Sequence, residues 1–225
     1  MTDEPPHPEP ADLLARWPLP DAPALAAELH AAYADPARGY HDVVHLTEVL
    51  DRLEELRAAG VAYPELPVRL AAWFHDSVYD GERDAEERSA AWAEDALVDL
   101  VAEEVRSEVA RLVRLTETHR PEPDDAAGCA LSDADLAILA APPARYAAYV
   151  AAVRAEYAHL DDATFRAGRR AVLEGLAAKP ELFHTPVARA RWEDAARANL
   201  TRELAELAED DAARPRADGR RSRAS

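Results

Sequence analysis

The stretch ELPVRLAAWFHDSV, residues 65–78, decides how the chain folds. Coiled as a helix, it spreads Leu66, Val68, Leu70, Ala71, Ala72, Trp73 and Phe74 over nearly every face. A helix apolar on most faces belongs in the middle of a bundle, covered by other helices. The spacing predicts a helix over 65–78 and sets His75-Asp76 inside it. A carboxylate there needs a partner or a bound cation, because burying it bare is costly.

Working outward, amphipathic helical periods surround this segment. On the N-terminal side, Val43, Val44, Leu46, Val49, Leu50, Leu53 and Leu56 recur at helical spacing, from a start near His41 or Asp42 to Ala59, where Gly60 stops the pattern. Asp21 reads as the N-cap of an earlier helix running to Ala34, ended by Asp35-Pro36. Beyond the Asp80-Gly81 turn, helices are expected at about 84–101 and 103–118, and a loop over HRPEPDDAAGCA (119–130). Ser132 or Asp133 reads as the cap of a short helix to Ala140, which Pro142-Pro143 breaks; longer helices follow at about 144–160, 163–178 and 187–211. No strand pattern is visible and the connections are short. The expectation is an all-α, single compact bundle over 21–212. Ala, about a quarter of the chain, favours the same outcome. Residues 1–20 read as an extended proline-rich arm, with Trp17 placed to dock on the body, and 213–225 as a basic disordered tail.

The charge excludes some functions. The formal charge is −18, and the tail RPRADGRRSRAS holds five Arg and one Asp, which leaves −22 on residues 1–213. Such a body repels duplex nucleic acid. No apolar run approaches the roughly 20 residues of a membrane span. The acidic, proline-rich start MTDEPPHPEP resembles neither a signal peptide nor a transit peptide, so a cytoplasmic protein is expected. Cys129 is the single cysteine, so any metal site must be built from imidazole and carboxylate. Such ligands suit Mn, Fe, Co, Ni, Zn or Mg.

Four of the eight histidines stand out: His41 and His45 in YHDVVH, His75 before Asp76, and His119 in TETH, with Asp133 and Asp135 following in LSDADL. The order is H…HD…D. In this the chain resembles the HD superfamily of metal-dependent phosphohydrolases, and is closer to a bacterial branch described as predicted HD phosphohydrolases. The segments that carry the likeness are RGYHDVVH (38–45), AAWFHDSVYD (71–80), EERSA (86–90), TETH (116–119), LSDADLAIL (131–139), RAEY (154–157), FRAGRRAVL (165–173) and ARANL (196–200). They span about 38–200 in the family's order.

The resemblance implies an HD-domain-like helical bundle and a divalent metal held by His45, His75, Asp76 and either Asp133 or Asp135. It also implies a catalytic group of Asp76, Glu86, Arg38 and His41. Asp76 or Glu86 would take the proton of an activated water, and Arg38 and His41 would meet the phosphate. His119 lies where two-metal relatives place extra ligands. Two departures stand out: Ala85 replaces the Asn usual before Glu86, and Ser77-Val78 follows the doublet where signalling relatives have Gly-Lys. The expected partner is a small phosphorylated substrate, with no membrane and no duplex nucleic acid, and exposed apolar faces on the C-terminal helices leave room for a homodimer. Two other readings fit the same residues: a di-iron oxygenase, and a non-catalytic helical binding module with a vestigial metal site.

Overall fold

The computed structural model describes residues 10–81 and 83–213, with side chains over 11–209. Among these residues the protein is all-α and has no strand. Ten α-helices run in order: α1 (Pro10–Leu14), α2 (Pro23–Tyr33), α3 (Val43–Ala58), α4 (Glu65–Phe74), α5 (Ala85–Ala96), α6 (Glu103–Leu115), α7 (Ala126–Asp135), α8 (Pro143–Glu156), α9 (Asp162–Ala177) and α10 (Pro186–Ala213). A 3₁₀ turn over Leu136–Ala140 follows α7 directly.

As its composition requires, α4 is the central helix: Val68, Leu70, Ala71, Ala72, Trp73 and Phe74 are all fully buried. Around it, α1, α2, α3, α5, α6 and α7 share one apolar cluster with Leu29, Leu46, Leu50, Leu53, Val109 and Leu112 at its heart. A second cluster joins the 3₁₀ turn to α8, α9 and α10 through Tyr149, Leu173, Phe183, Trp192 and Leu200. The 3₁₀ turn packs along α10, and the joint between α7 and this turn is where one cluster gives way to the other.

Several expected boundaries move, each for a physical reason. The central helix stops at Phe74 rather than Val78. His75 N–H still reaches Ala71 O, but the Asp76 N–H is taken by the Tyr33 hydroxyl, and Val78 N–H by Ser89 Oγ. Polar groups from distant segments therefore outbid the next helical turn. Ala22, not Asp21, occupies the N-cap of α2, with Pro23 as its first residue. Asp42 caps α3 by accepting from Val44 and His45 N–H. The expected 119–130 loop is only half loop. Asp125 accepts from Gly128 N–H and starts α7 at Ala126, so neither Ser132 nor Asp133 is a cap for its own helix. The arm is not extended throughout: 10–14 is helical, Leu13 is buried, and Trp17 packs edge-on against Trp73 with ring centroids 5.2 Å apart. Residues 1–9 and 214–225, and with them most of the expected arm's start and all but Ala213 of the expected tail, lie outside the described residues.

Candidate metal centre

His45 comes from the first turn of α3, His75 and Asp76 from the turn just past α4, and Asp135 from the last residue of α7. Their reactive atoms meet at one point. His45 Nε2 lies 3.1 Å from His75 Nε2 and 3.2 Å from Asp76 Oδ2, and His75 Nε2 lies 3.1 Å from Asp76 Oδ2. Asp135 Oδ1 approaches the two imidazoles at 3.3 and 3.7 Å. Atoms that share one ion at about 2.1 Å sit about 3.0 Å apart at right angles and about 3.4 Å apart at the tetrahedral angle. The observed spacings fall around these values. His45, His75 and Asp76 form a group able to hold a metal ion.

The local chain ending explains the orientation of His75. Because α4 stops, Ala72 O is free of the Asp76 N–H, and His75 Nδ1 donates to it at 2.8 Å. That leaves the Nε2 lone pair of the neutral ring facing the other ligands, as is usual for a ligating histidine oriented by a carbonyl. Two imidazole nitrogens 3.1 Å apart hold one hydrogen or one cation between them; two N–H groups would collide and two lone pairs would repel. The electrostatics agree. Burial opposes charge on all four groups. Even so, Asp135 and Asp76 hold His45 up at about 9, and the Asp76 charge raises His75 well above the usual imidazole range. The two carboxyls are drawn well below the usual carboxylate range, chiefly by His75. The cluster as a whole calls for positive charge at its centre, and its nitrogen and oxygen donors suit a borderline or hard divalent metal.

The two aspartates of DADL part company. Two residues apart on a helix, they point to nearly opposite sides. Asp135 joins the cluster. Asp133 is fully buried and accepts from the backbone N–H groups of His184 and Thr185 at 2.6 and 2.7 Å, just ahead of α10. The expectation of Asp133 as a metal ligand is thereby corrected: both its oxygens are committed to the entry of α10.

A cavity of about 610 Å³ opens over the cluster. Asp76, Asp135, His41, Glu86 and His119 are among its lining residues, as are Tyr79, Tyr149, Tyr157 and Phe165 and the cations Arg120 and Lys179. Glu86, in the first turn of α5, thus faces the same space as the cluster. His119, in a left-handed backbone conformation, places Nε2 3.6 Å from Asp135 Oδ2, and burial lowers its pKa, keeping a lone pair available.

Arg38 is a second correction. Expected to clamp phosphate, it instead donates to three carbonyls: His41 O at 2.8 Å, Asp76 O at 2.7 Å and Ser77 O at 2.9 Å. Its guanidinium also lies over the Tyr33 ring. It is a strut that fastens the YHD loop to the HD turn. His41 precedes α3 rather than lying on it, and its ring stacks on Tyr79 with centroids 4.0 Å apart. Its Nδ1 lies 2.7 Å from Glu156 Oε2. Reading the sequence missed Glu156 as a site residue. Its only signal is the segment RAEY, where it stands among 44 acidic residues with nothing to separate it from a surface charge.

No family model, curated protein or solved structure matches the chain.

Proposed function

We propose that the protein is a metal-dependent phosphohydrolase of the HD type, acting on a small phosphate ester or nucleotide. The observation that carries this reading is the meeting of His45 Nε2, His75 Nε2 and Asp76 Oδ2, with Asp135 Oδ1 beside them, next to a cavity large enough for a nucleotide that Asp76 and Asp135 help to line. A divalent ion held by these four residues would supply Lewis acidity toward the phosphoryl oxygen and lower the pKa of a water. Glu86, His41 and His119 line the same cavity and are groups able to take a proton there. The positive charge expected of Arg38 comes instead from Arg120 and Lys179. Lys179 spends two of its three N–H donors on Thr118 O and His119 O and keeps the third. The aromatic residues that line the cavity suit a flat or ring-bearing leaving group.

The test is elemental analysis of the purified protein, followed by a panel of phosphate esters with added Mn, Ni, Co or Mg. Wild-type protein should carry metal and release phosphate. His75→Ala should lose both together, with activity down at least about 100-fold. Undiminished metal content in His75→Ala would reject the ligand set. Iron with oxygen consumption and no phosphate release would favour the oxygenase reading, and no bound metal at all the binding-module reading.

A further inference from the structure

The loop before α3 lies directly on the end of α8, and the contact is built around one carboxylate. Glu156 Oε1 accepts from three successive backbone N–H groups, those of Gly39, Tyr40 and His41, at 3.2, 3.2 and 3.1 Å. Its other oxygen, Oε2, lies 2.7 Å from His41 Nδ1. The carboxyl side chain is only 6% exposed, whereas that of His41 is 22% exposed and borders the cavity. The approach depends on Gly39, since a Cβ there would collide with Ala152 O and come within 2.9 Å of Glu156 N. An ionised carboxylate can only accept, so the hydrogen between the pair belongs to Nδ1. Burial alone would raise the Glu156 pKa, but the hydrogen bond from His41 and those from the backbone bring it below its ordinary value. With Nδ1 protonated, the neutral ring carries its lone pair on Nε2. Stacking on Tyr79, whose hydroxyl is fixed 3.1 Å from that of Tyr157, stops the ring from turning over.

From this geometry we infer that Glu156 is the positioning residue of His41, and that the pair is the proton acceptor of the reaction. The inference rests on the hydrolase reading above. In the step it describes, a water oxygen attacks phosphorus and the bond from phosphorus to the leaving oxygen breaks. His41 Nε2 takes the proton that the water loses, and Glu156 stabilises the imidazolium so formed. The departing oxygen is protonated from solvent, and the imidazolium returns its proton to solvent, so the balance closes at one ester and one water giving one alcohol and one phosphate. An imidazole oriented by a carboxylate in this way is the arrangement that makes a ring a directed base.

Glu156→Gln separates positioning from folding. The amide keeps one oxygen for the three backbone N–H groups, but turns an N–H donor toward His41 Nδ1. The ring must then accept at Nδ1 and carry its hydrogen on Nε2, where no lone pair is left for water. Two readouts follow on the full chain. Long-range ¹H–¹⁵N spectra of protein labelled at the histidine rings, recorded above the histidine titration range, should show the His41 resonance as Nδ1–H in the wild type and as Nε2–H in Glu156→Gln, the assignment coming from its loss in His41→Asn. With p-nitrophenyl phosphate and the activating metal, Glu156→Gln should lower kcat by about 10²- to 10⁴-fold with little change in KM or metal content. The double variant Glu156→Gln/His41→Asn should lose no more than His41→Asn alone. An Nε2–H wild-type ring, an unchanged kcat in Glu156→Gln, or additive losses in the double variant would each overturn the inference. A wild-type protein that binds metal but releases no phosphate would overturn the hydrolase reading and the base role with it, while the ring spectra would still decide whether Glu156 sets the tautomer. Should Glu156→Gln fail to fold, the wild-type spectrum still decides, since an Nε2–H ring on His41 would by itself overturn the inference.

Discussion

At the scale of single residues, the site depends on groups whose partners are backbone atoms. Arg38 and Asp133, and one oxygen of Glu156, are taken up by main-chain N–H or C=O groups. Such partners leave no trace in a sequence, because every residue has them. His45, His75 and Asp76 were legible for the opposite reason: their partners are each other, and their rarity in apolar surroundings marks them. Gly39 is the residue that makes the Glu156 contact possible, and its cost is measurable. Gly39→Ala pushes a methyl group against the Ala152 carbonyl and the Glu156 backbone. Overpacking of this kind costs about 1–3 kcal/mol. Urea unfolding should show that loss, and the His41 ring signal should shift with it, since the loop must lift to make room. Wild-type stability in Gly39→Ala would mean the loop does not sit on α8.

At the scale of elements, periodicity located nearly every helix but not where each one ends. An α-helix ends where something else satisfies its terminal groups more favourably. For α4 those competitors are Tyr33, Arg38 and Ser89, which lie tens of residues away or across a turn. For α7 the start is set by Asp125, hidden in a run that otherwise reads as loop. The fate of DADL follows from α7 itself: one aspartate ends up facing α3 and α4, the other facing the start of α10. The two should therefore fail in different ways when replaced. Asp133→Ala leaves one buried and one half-buried N–H group, those of Thr185 and His184, without acceptors and should cost about 2–4 kcal/mol, at about 1–3 kcal/mol for each orphaned donor less relaxation, with bound metal retained. Asp135→Asn keeps size and packing, and should lose metal affinity while remaining folded. Denaturation curves alongside metal stoichiometry separate the two. Loss of metal in Asp133→Ala with an unchanged unfolding midpoint would reverse the assignment.

At the scale of the whole molecule, the cluster sits where two apolar cores meet. His45, His75 and Asp76 belong to elements of the first core, α3 and the end of α4. Asp135 stands at the joint, with Ala134 packed in the first core and Ala137 in the second. The cavity above is walled on one side by α8 and α9, which belong wholly to the second core. An ion held by all four side chains would tie α3 and α4 to the α7 joint, in a protein whose net charge of −18 adds self-repulsion to the compact state. It would also take the place of the protons that the two imidazoles and two carboxylates otherwise share across contacts of 3.1–3.7 Å to the imidazole nitrogens. Ligand binding to the folded state alone adds stability as RT ln(1 + [L]/Kd), about 2.7 kcal/mol at a hundredfold excess over Kd. For a domain near 200 residues that corresponds to a rise in Tm of roughly 5–10 °C, at about 2–4 °C per kcal/mol. Chelation of the purified protein should therefore lower Tm by that amount, and adding back Mn or Zn should restore it. The same treatment should leave the Tm of His75→Ala unmoved, because the link is already cut. A chelator that shifts both proteins equally would place the stabilising ion somewhere other than the joint between the cores.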